Sequence, residues 1–149
     1  SGGSSAQAEP GAFQPGETPP AWVVQPPTEF RLASYRVPGE QGDADLSVIA
    51  FPGDAGGCLA NMNRWRGQVS LPPATDADLQ VEQVELQGLP VRLVFFEGTD
   101  PQSGKPAAIL GGIAETNGRS WFFKLMGSGP VVSESKEAWL KFIETSRMP

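Results

Sequence analysis

The sequence predicts an α+β fold in which an antiparallel β-sheet is packed by helices, and three observations carry that expectation. Short runs rich in β-branched and aromatic residues are paired across turn residues. One run near the middle changes to helical spacing, and the segment Ser133 to Arg147 carries the charge and cap pattern of a second helix. Strands followed by a helix, more strands and a helix give an α+β order rather than an alternating parallel one.

In chain order, Phe30 to Val37 and Leu46 to Phe51 flank Pro38-Gly39-Glu40-Gln41-Gly42-Asp43 and read as paired strands. Ala55 to Val69 places Leu59, Met62 and Arg66 at helical spacing with Trp65 beside that stripe, and Gly67 and Pro72 supply a stop. Val81 to Leu86 and Pro90 to Glu97 form a second pair joined near Gln87-Gly88, and residues 98–106 form a turn-rich loop. Ala108 to Glu115 and Arg119 to Met126 flank Asn117-Gly118, the strongest short hairpin signal because both residues accept positive φ. Within the second of these strands, Trp121, Phe123 and Leu125 share one face and Phe122, Lys124 and Met126 the other, as in a central strand. The final helix has Ser133 as its expected cap, Glu134 and Glu137 early, Lys141 and Arg147 late, and an apolar stripe of Trp139, Leu140, Phe142 and Ile143.

Residues 1–27 differ in composition. Gly and Pro recur throughout, and Phe13, Trp22, Val23 and Val24 are the only sizeable apolar side chains there. Such a stretch buries too little to offset its ordering entropy, so the expectation is a Pro/Gly-rich flexible tether over residues 1–27 and an α+β domain over residues 28–149. The island Ala21 to Val24 is the part of the tether able to dock on that domain. Ser1-Gly2-Gly3-Ser4-Ser5 fits either the small polar opening behind the lipidated Cys of a bacterial lipoprotein or an artificial linker, and the Pro-rich run behind it favours a natural tether. The expected location is the bacterial cell envelope, as a periplasmic or surface lipoprotein, with membrane contact only through a lipid anchor upstream of Ser1.

Residue types narrow the chemistry. A single domain is expected at 149 residues. The chain has no His and one Cys, which removes Ser-His-Asp and Cys-His catalysis, the common zinc sites and an intrachain disulfide. A net charge of −6 argues against nucleic acid as a partner. No metal or cofactor is called for: Asp43 with Asp45 and Asp76 with Asp78 lack the further oxygen ligands of a calcium loop, and Gly98 to Lys105 has the wrong spacing and a Pro106 where a phosphate loop needs Ser or Thr. Ser133-Glu134-Ser135-Lys136 satisfies Ser-x-x-Lys, but no Lys-Thr-Gly accompanies it. Cys58 lies near a helix start, with inert packing as its expected role.

The run Arg119 to Gly127 (RSWFFKLMG), the linker Ser133 to Glu137 and the segment Trp139 to Arg147 resemble the closing strand and helix of PsbP-like domains. The segment Gly56 to Gln68 (GGCLANMNRWRGQ) is similar to one in uncharacterised bacterial envelope proteins, often predicted lipoproteins. The resemblance implies a PsbP-like fold from about residue 28 onward, and protein binding or assembly assistance more often than catalysis.

The candidate binding residues are Asn61, Asn63, Arg64, Trp65, Arg66 and Gln68. Two guanidinium groups can hold carboxylates or a phosphate bidentately, with Trp65 as an amphipathic anchor. A structural role accounts for the same residues, with Trp65 in the core, Asn61 and Asn63 bonded to loop backbone, and the arginines paired with surface acids. The helical wheel groups Asn61, Arg64 and Gln68 as the exposed cluster. The expected function is a non-enzymatic protein-binding or assembly module, its partner and oligomeric state undefined. The alternatives are a small-ligand carrier or carboxylate-based hydrolase with a pocket between sheet and helix, and a purely structural envelope protein.

Overall fold

A computed structural model describes residues 13–26, 28–53 and 57–149. Among the described residues, seven strands form one antiparallel sheet: β1 (Val23–Val24), β2 (Ala33–Val37), β3 (Ala44–Pro52), β4 (Glu82–Leu86), β5 (Leu89–Thr99), β6 (Pro106–Thr116) and β7 (Arg119–Ser128), in the order β1-β2-β3-β7-β6-β5-β4. Helix α1 (Cys58–Gln68) packs on one face, and α2 (Gly129–Glu134) with α3 (Lys136–Thr145) on the other.

Two hairpins set the register. Gln87-Gly88 and Asn117-Gly118 each have positive φ at both positions, as a two-residue turn matched to strand twist requires. Alternation along each strand then separates two cores. On the α2–α3 side, Leu46, Val48, Leu110, Trp121, Phe123 and Leu125 pack under Trp139, Phe142 and Ile143. On the α1 side, Val94, Phe96, Ile109, Ile113 and Phe122 pack under Met62, Trp65 and Val69. Gly111 and Gly112 lie back to back in β6. A Cβ at Gly111 would fall 2.6 Å from Trp65 Cε3, and one at Gly112 would fall 3.3 Å from Trp139 Cη2, so each glycine seats a tryptophan on its own face.

The terminal helix differs from the sequence expectation. Ser133 is no cap: it lies inside α2, which begins at Gly129 behind Ser128. Pro130 explains the earlier start, since the first helical turn tolerates a missing N–H. Ser135 (φ −95°, ψ 5°) then divides α2 from α3, so Glu134 ends one helix and only Glu137 stands in the first turn of the next.

Residues 13–26, expected within the tether, run along the domain. Gln14 and Arg147 exchange two backbone hydrogen bonds of 3.1 and 2.9 Å, and Gly16 and Glu17 donate backbone N–H groups to the Ser146 and Thr145 hydroxyls. Trp22 is buried against Tyr35 and Phe142, with ring centroids 6.1 Å from each, and β1 adds an edge to β2. The aromatic anchors Phe13 and Trp22 supply the burial that the surrounding Gly and Pro do not. The first twelve positions of the expected tether lie outside the described residues.

Candidate functional site

Most of the six candidate residues are engaged within the domain. Asn61 is buried, contrary to its expected exposure. Its Nδ2 donates to the Gly57 carbonyl at 2.7 Å and its Oδ1 accepts from Arg64 Nη1 at 2.8 Å. Asn63 and Ala74 form a reciprocal pair, Nδ2 to carbonyl at 2.9 Å and backbone N–H to Oδ1 at 2.8 Å, which ties α1 to the loop behind it. Trp65 is buried, edge-on to Phe122 at 6.1 Å. Arg66 donates through Nε to the Pro72 carbonyl at 2.8 Å and lies 5.3 Å over the Phe96 ring. Asn63, Trp65 and Arg66 fasten α1 to the rest of the domain, and Asn61 braces the first turns of α1 itself. Arg64 is exposed and Gln68 half-buried, and both face the same neighbour, Lys124.

Lys124 stands at the edge of what α1 covers. Strand register places Val94, Gly111, Lys124, Ser47 and Ser34 in one row across β5, β6, β7, β3 and β2. Trp65 covers the Val94–Gly111 end of that row. Beyond Lys124, Ser47 and Ser34 form a buried floor, and among the described residues the core beneath α1 includes none from β2 or β3. Arg31 reaches over that floor, donating through Nη1 to Ser34 Oγ at 2.8 Å and gripping Asp45 bidentately at 2.9 and 2.7 Å.

Lys124 therefore lies within electrostatic reach of two further cations, Arg31 and Arg64, and of the Asp45 carboxylate that Arg31 grips, in a chain of net charge −6. Burial pulls the Lys124 ammonium below its ordinary range; the Arg31 and Arg64 charges pull the same way, and Asp45 opposes them. The Arg31 guanidinium is held above its usual value by the hydrogen bond to Asp45. Sequence reasoning found Arg64 and Gln68 but missed Arg31, Asp45, Ser34, Ser47 and Lys124. The available signal was Lys124 itself, a cation on a strand face otherwise occupied by Phe122 and Met126.

Two neighbouring surfaces complete the site. Ile49 and Phe51 in β3, with Leu32 just before β2, share the face of Ser47 by alternation, and Phe51 lies 5.8 Å from the Phe122 ring. Leu32 and Phe51 are exposed. On the other side, a cleft of about 640 Å³ between the 38–43 and 98–106 loops is lined in part by Asp43, Gln68, Asp100, Lys105 and Met126. Asp100 lies below the usual carboxylate range because the Gln102 backbone N–H and the Ser103 hydroxyl donate to it. The space between α1 and the sheet, where a ligand pocket was one expectation, is filled by Met62, Trp65 and Val69. Cys58 packs with its Sγ 3.7 Å from Met62 Sδ. Among the described residues, no three His, Cys, Asp or Glu side chains gather as metal ligands, and no helix is long and apolar enough to cross a membrane.

Comparison with solved structures places this architecture. A cyanobacterial PsbP, CyanoP of Synechocystis, matches over 95% of both chains at 14% identity with a TM-score of 0.53. The fold is PsbP-like. LpqN of Mycobacterium tuberculosis, described as involved in cell envelope biogenesis, matches 95% of this chain and 87% of its own at 13% identity, TM-score 0.56. A Bacteroides thetaiotaomicron protein matches 95% of this chain at 14% identity, TM-score 0.59, and the chain spans about half of its length, 47%. No protein-family model matches the sequence, and no curated protein matches it. At these identities the likeness to a PsbP-like domain concerns architecture, and the cationic row has to be argued from its own residues.

Proposed function

We propose that this chain is a non-enzymatic binding module of the bacterial cell envelope, and that it receives an acidic protein partner on the sheet face beside α1. The observation that carries the reading is the convergence of the Arg31 and Arg64 charges on Lys124, beside the Arg31–Asp45 pair, at the margin of the sheet area that α1 covers. Like charges held together and partly desolvated cost free energy in the isolated domain, and an incoming anion relieves that cost. The exposed Leu32 and Phe51 beside them give such a partner apolar surface to cover. The PsbP-like fold and the envelope role described for LpqN support the location. The packed sheet–helix interior supports a binding role over a carrier or hydrolase whose pocket lies between sheet and helix.

The test is crosslinking capture from the native envelope with the intact chain and with an Arg64→Ala/Gln68→Ala version of equal thermal stability. A partner that is identified, purified and rebound at defined stoichiometry by the intact chain, and lost by the variant, is the expected result. A catalytic rate that survives purification and vanishes on one point substitution overturns the reading.

A further inference from the structure

Hydrogen-bond bookkeeping around Lys124 gives the site a definite sign. Lysine is a donor only, so the 2.9 Å contact from Lys124 Nζ fixes Gln68 with its Oε1 toward the ammonium and its Nε2 amide hydrogens turned away. Arginine is likewise a donor only, so the 2.8 Å bond from Arg64 Nη1 consumes Asn61 Oδ1. The Asp45 carboxylate is held bidentately by Arg31, which also spends a bond on Ser34. The amide and carboxylate oxygens here thus face inward onto cations. What Lys124, Gln68 and the outer side of Arg64 still present is N–H: two ammonium hydrogens, an amide NH₂ and the remaining guanidinium donors. Such a group accepts no cation and no hydroxyl donor on those atoms; an oxyanion matches it.

We propose that Lys124, Gln68 and Arg64 form a preassembled seat for one oxyanion, the Asp or Glu carboxylate of a partner segment whose flanking apolar side chains lie on Leu32, Ile49 and Phe51. The seat rests on the binding-module reading and names the chemistry of its partner. A carboxylate binds as its neutral neighbours do not, because it lets the three cations share a second negative charge. Preassembly follows from the packing below: the reciprocal Asn63–Ala74 pair and the Trp65 contact at Gly111 fix α1, and the bond to Asn61 fixes Arg64.

The experiment titrates the full chain with an acetylated, amidated Leu-Glu-Leu peptide, with Leu-Gln-Leu, and with inorganic phosphate, all at constant ionic strength, following the Lys124 ¹³Cε resonance against pH. The expected result is a saturable response to the Glu peptide with the Lys124 pKa moving upward, and no saturation with the Gln peptide. Arg64→Gln, at an exposed position, weakens the Glu peptide about ten-fold, the effect of losing one charge-assisted contact. Two results overturn the seat: equal responses to the Glu and Gln peptides, or saturation by phosphate with the Glu peptide inert. A silent Lys124 in a chain that still captures its envelope partner through Arg64 sinks the seat and leaves the binding-module reading standing. A full peptide response with no partner recovered does the reverse.

Discussion

Gly111→Ala tests the packing on which the position of α1 depends. A Cβ at this position would lie 2.6 Å from Trp65 Cε3 and 3.0 Å from Cη2, against the roughly 3.5–4.0 Å of ordinary carbon contact, so the indole has to lift by about 1 Å. Little room exists for that movement, because Trp65 is buried beside Met62 and stands edge-on to Phe122 at 6.1 Å. Overpacking of this kind costs about 1–3 kcal/mol, while replacing a strand glycine returns about 0.5–1 kcal/mol of backbone entropy. The net expectation is a loss of about 1–2 kcal/mol, or roughly 3–6 °C in Tm for a chain of this length. Urea and thermal unfolding followed by circular dichroism measure it. Gly67→Ala in α1 is the companion: nothing lies within 4 Å of its Cβ position, and the substitution stabilises by about 0.5–1 kcal/mol. If Gly67→Ala stabilises as stated while Gly111→Ala leaves stability unchanged or raises it, Trp65 is not wedged against β6 and the account of how α1 is held fails.

Three further outcomes follow from other contacts. Trp22→Ala removes a buried ring between Tyr35 and Phe142 and costs about 3 kcal/mol, read as a shift of the urea midpoint; a negligible shift would mean that residues 13–26 do not contribute to the fold. Asn63→Ala breaks the reciprocal pair with Ala74 and lowers stability by about 1–2 kcal/mol, yet leaves the Glu-peptide affinity of the folded protein within about two-fold, which separates its holding role from the binding role of Arg64. Lys124 is held below its unfolded pKa, so between the two values the unfolded chain binds more protons and stability rises with pH. As pH rises toward the ordinary lysine value, unfolding free energies climb less steeply in Lys124→Met than in the natural chain, and an unchanged slope would refute the charge stress assigned to this lysine.

The order and pairing of the elements were legible because they rest on local chemistry. Asn117-Gly118 specifies its turn by positive φ alone, and alternation in β7 assigns Trp121 and Phe122 to opposite cores before any partner is known. The break at Ser135 was less legible: cap, charge and apolar spacing all persist across it, and only the conformation of Ser135 (φ −95°, ψ 5°) separates the two helices. Docking of the island at residues 21–24 was legible from Trp22, whereas that of residues 13–20 was not, since Phe13 is a lone aromatic anchor in a composition that otherwise reads as tether. At the site, a helical wheel finds residues that share a side of α1 but not what lies across from it. Arg64 and Gln68 were found that way, whereas Arg31 and Lys124 reach the same point from a loop and a strand far apart in sequence.

The row from Val94 to Ser34 changes character where α1 stops: valine and glycine beneath Trp65, then lysine, then two serines. An apolar partner element would bury the outward N–H donors of Lys124, Gln68 and Arg64 without paired acceptors, at a cost of several kcal/mol, so the composition selects for a partner that brings oxygen acceptors. Asp45 already plays that part from within, gripped by the Arg31 fork. Asp45→Asn therefore makes a decisive comparison. It removes the Asp45 charge that acts on Lys124, so the Lys124 pKa falls further and the Glu peptide binds about five-fold tighter, corresponding to about 1 kcal/mol for a charge screened near a protein surface. The same titration of the Lys124 ¹³Cε resonance reads both changes. Weaker peptide binding in Asp45→Asn would mean that the carboxylate acts by holding Arg31 in position rather than by competing for the cations, and the seat would then have to include the Arg31–Asp45 fork as one of its walls.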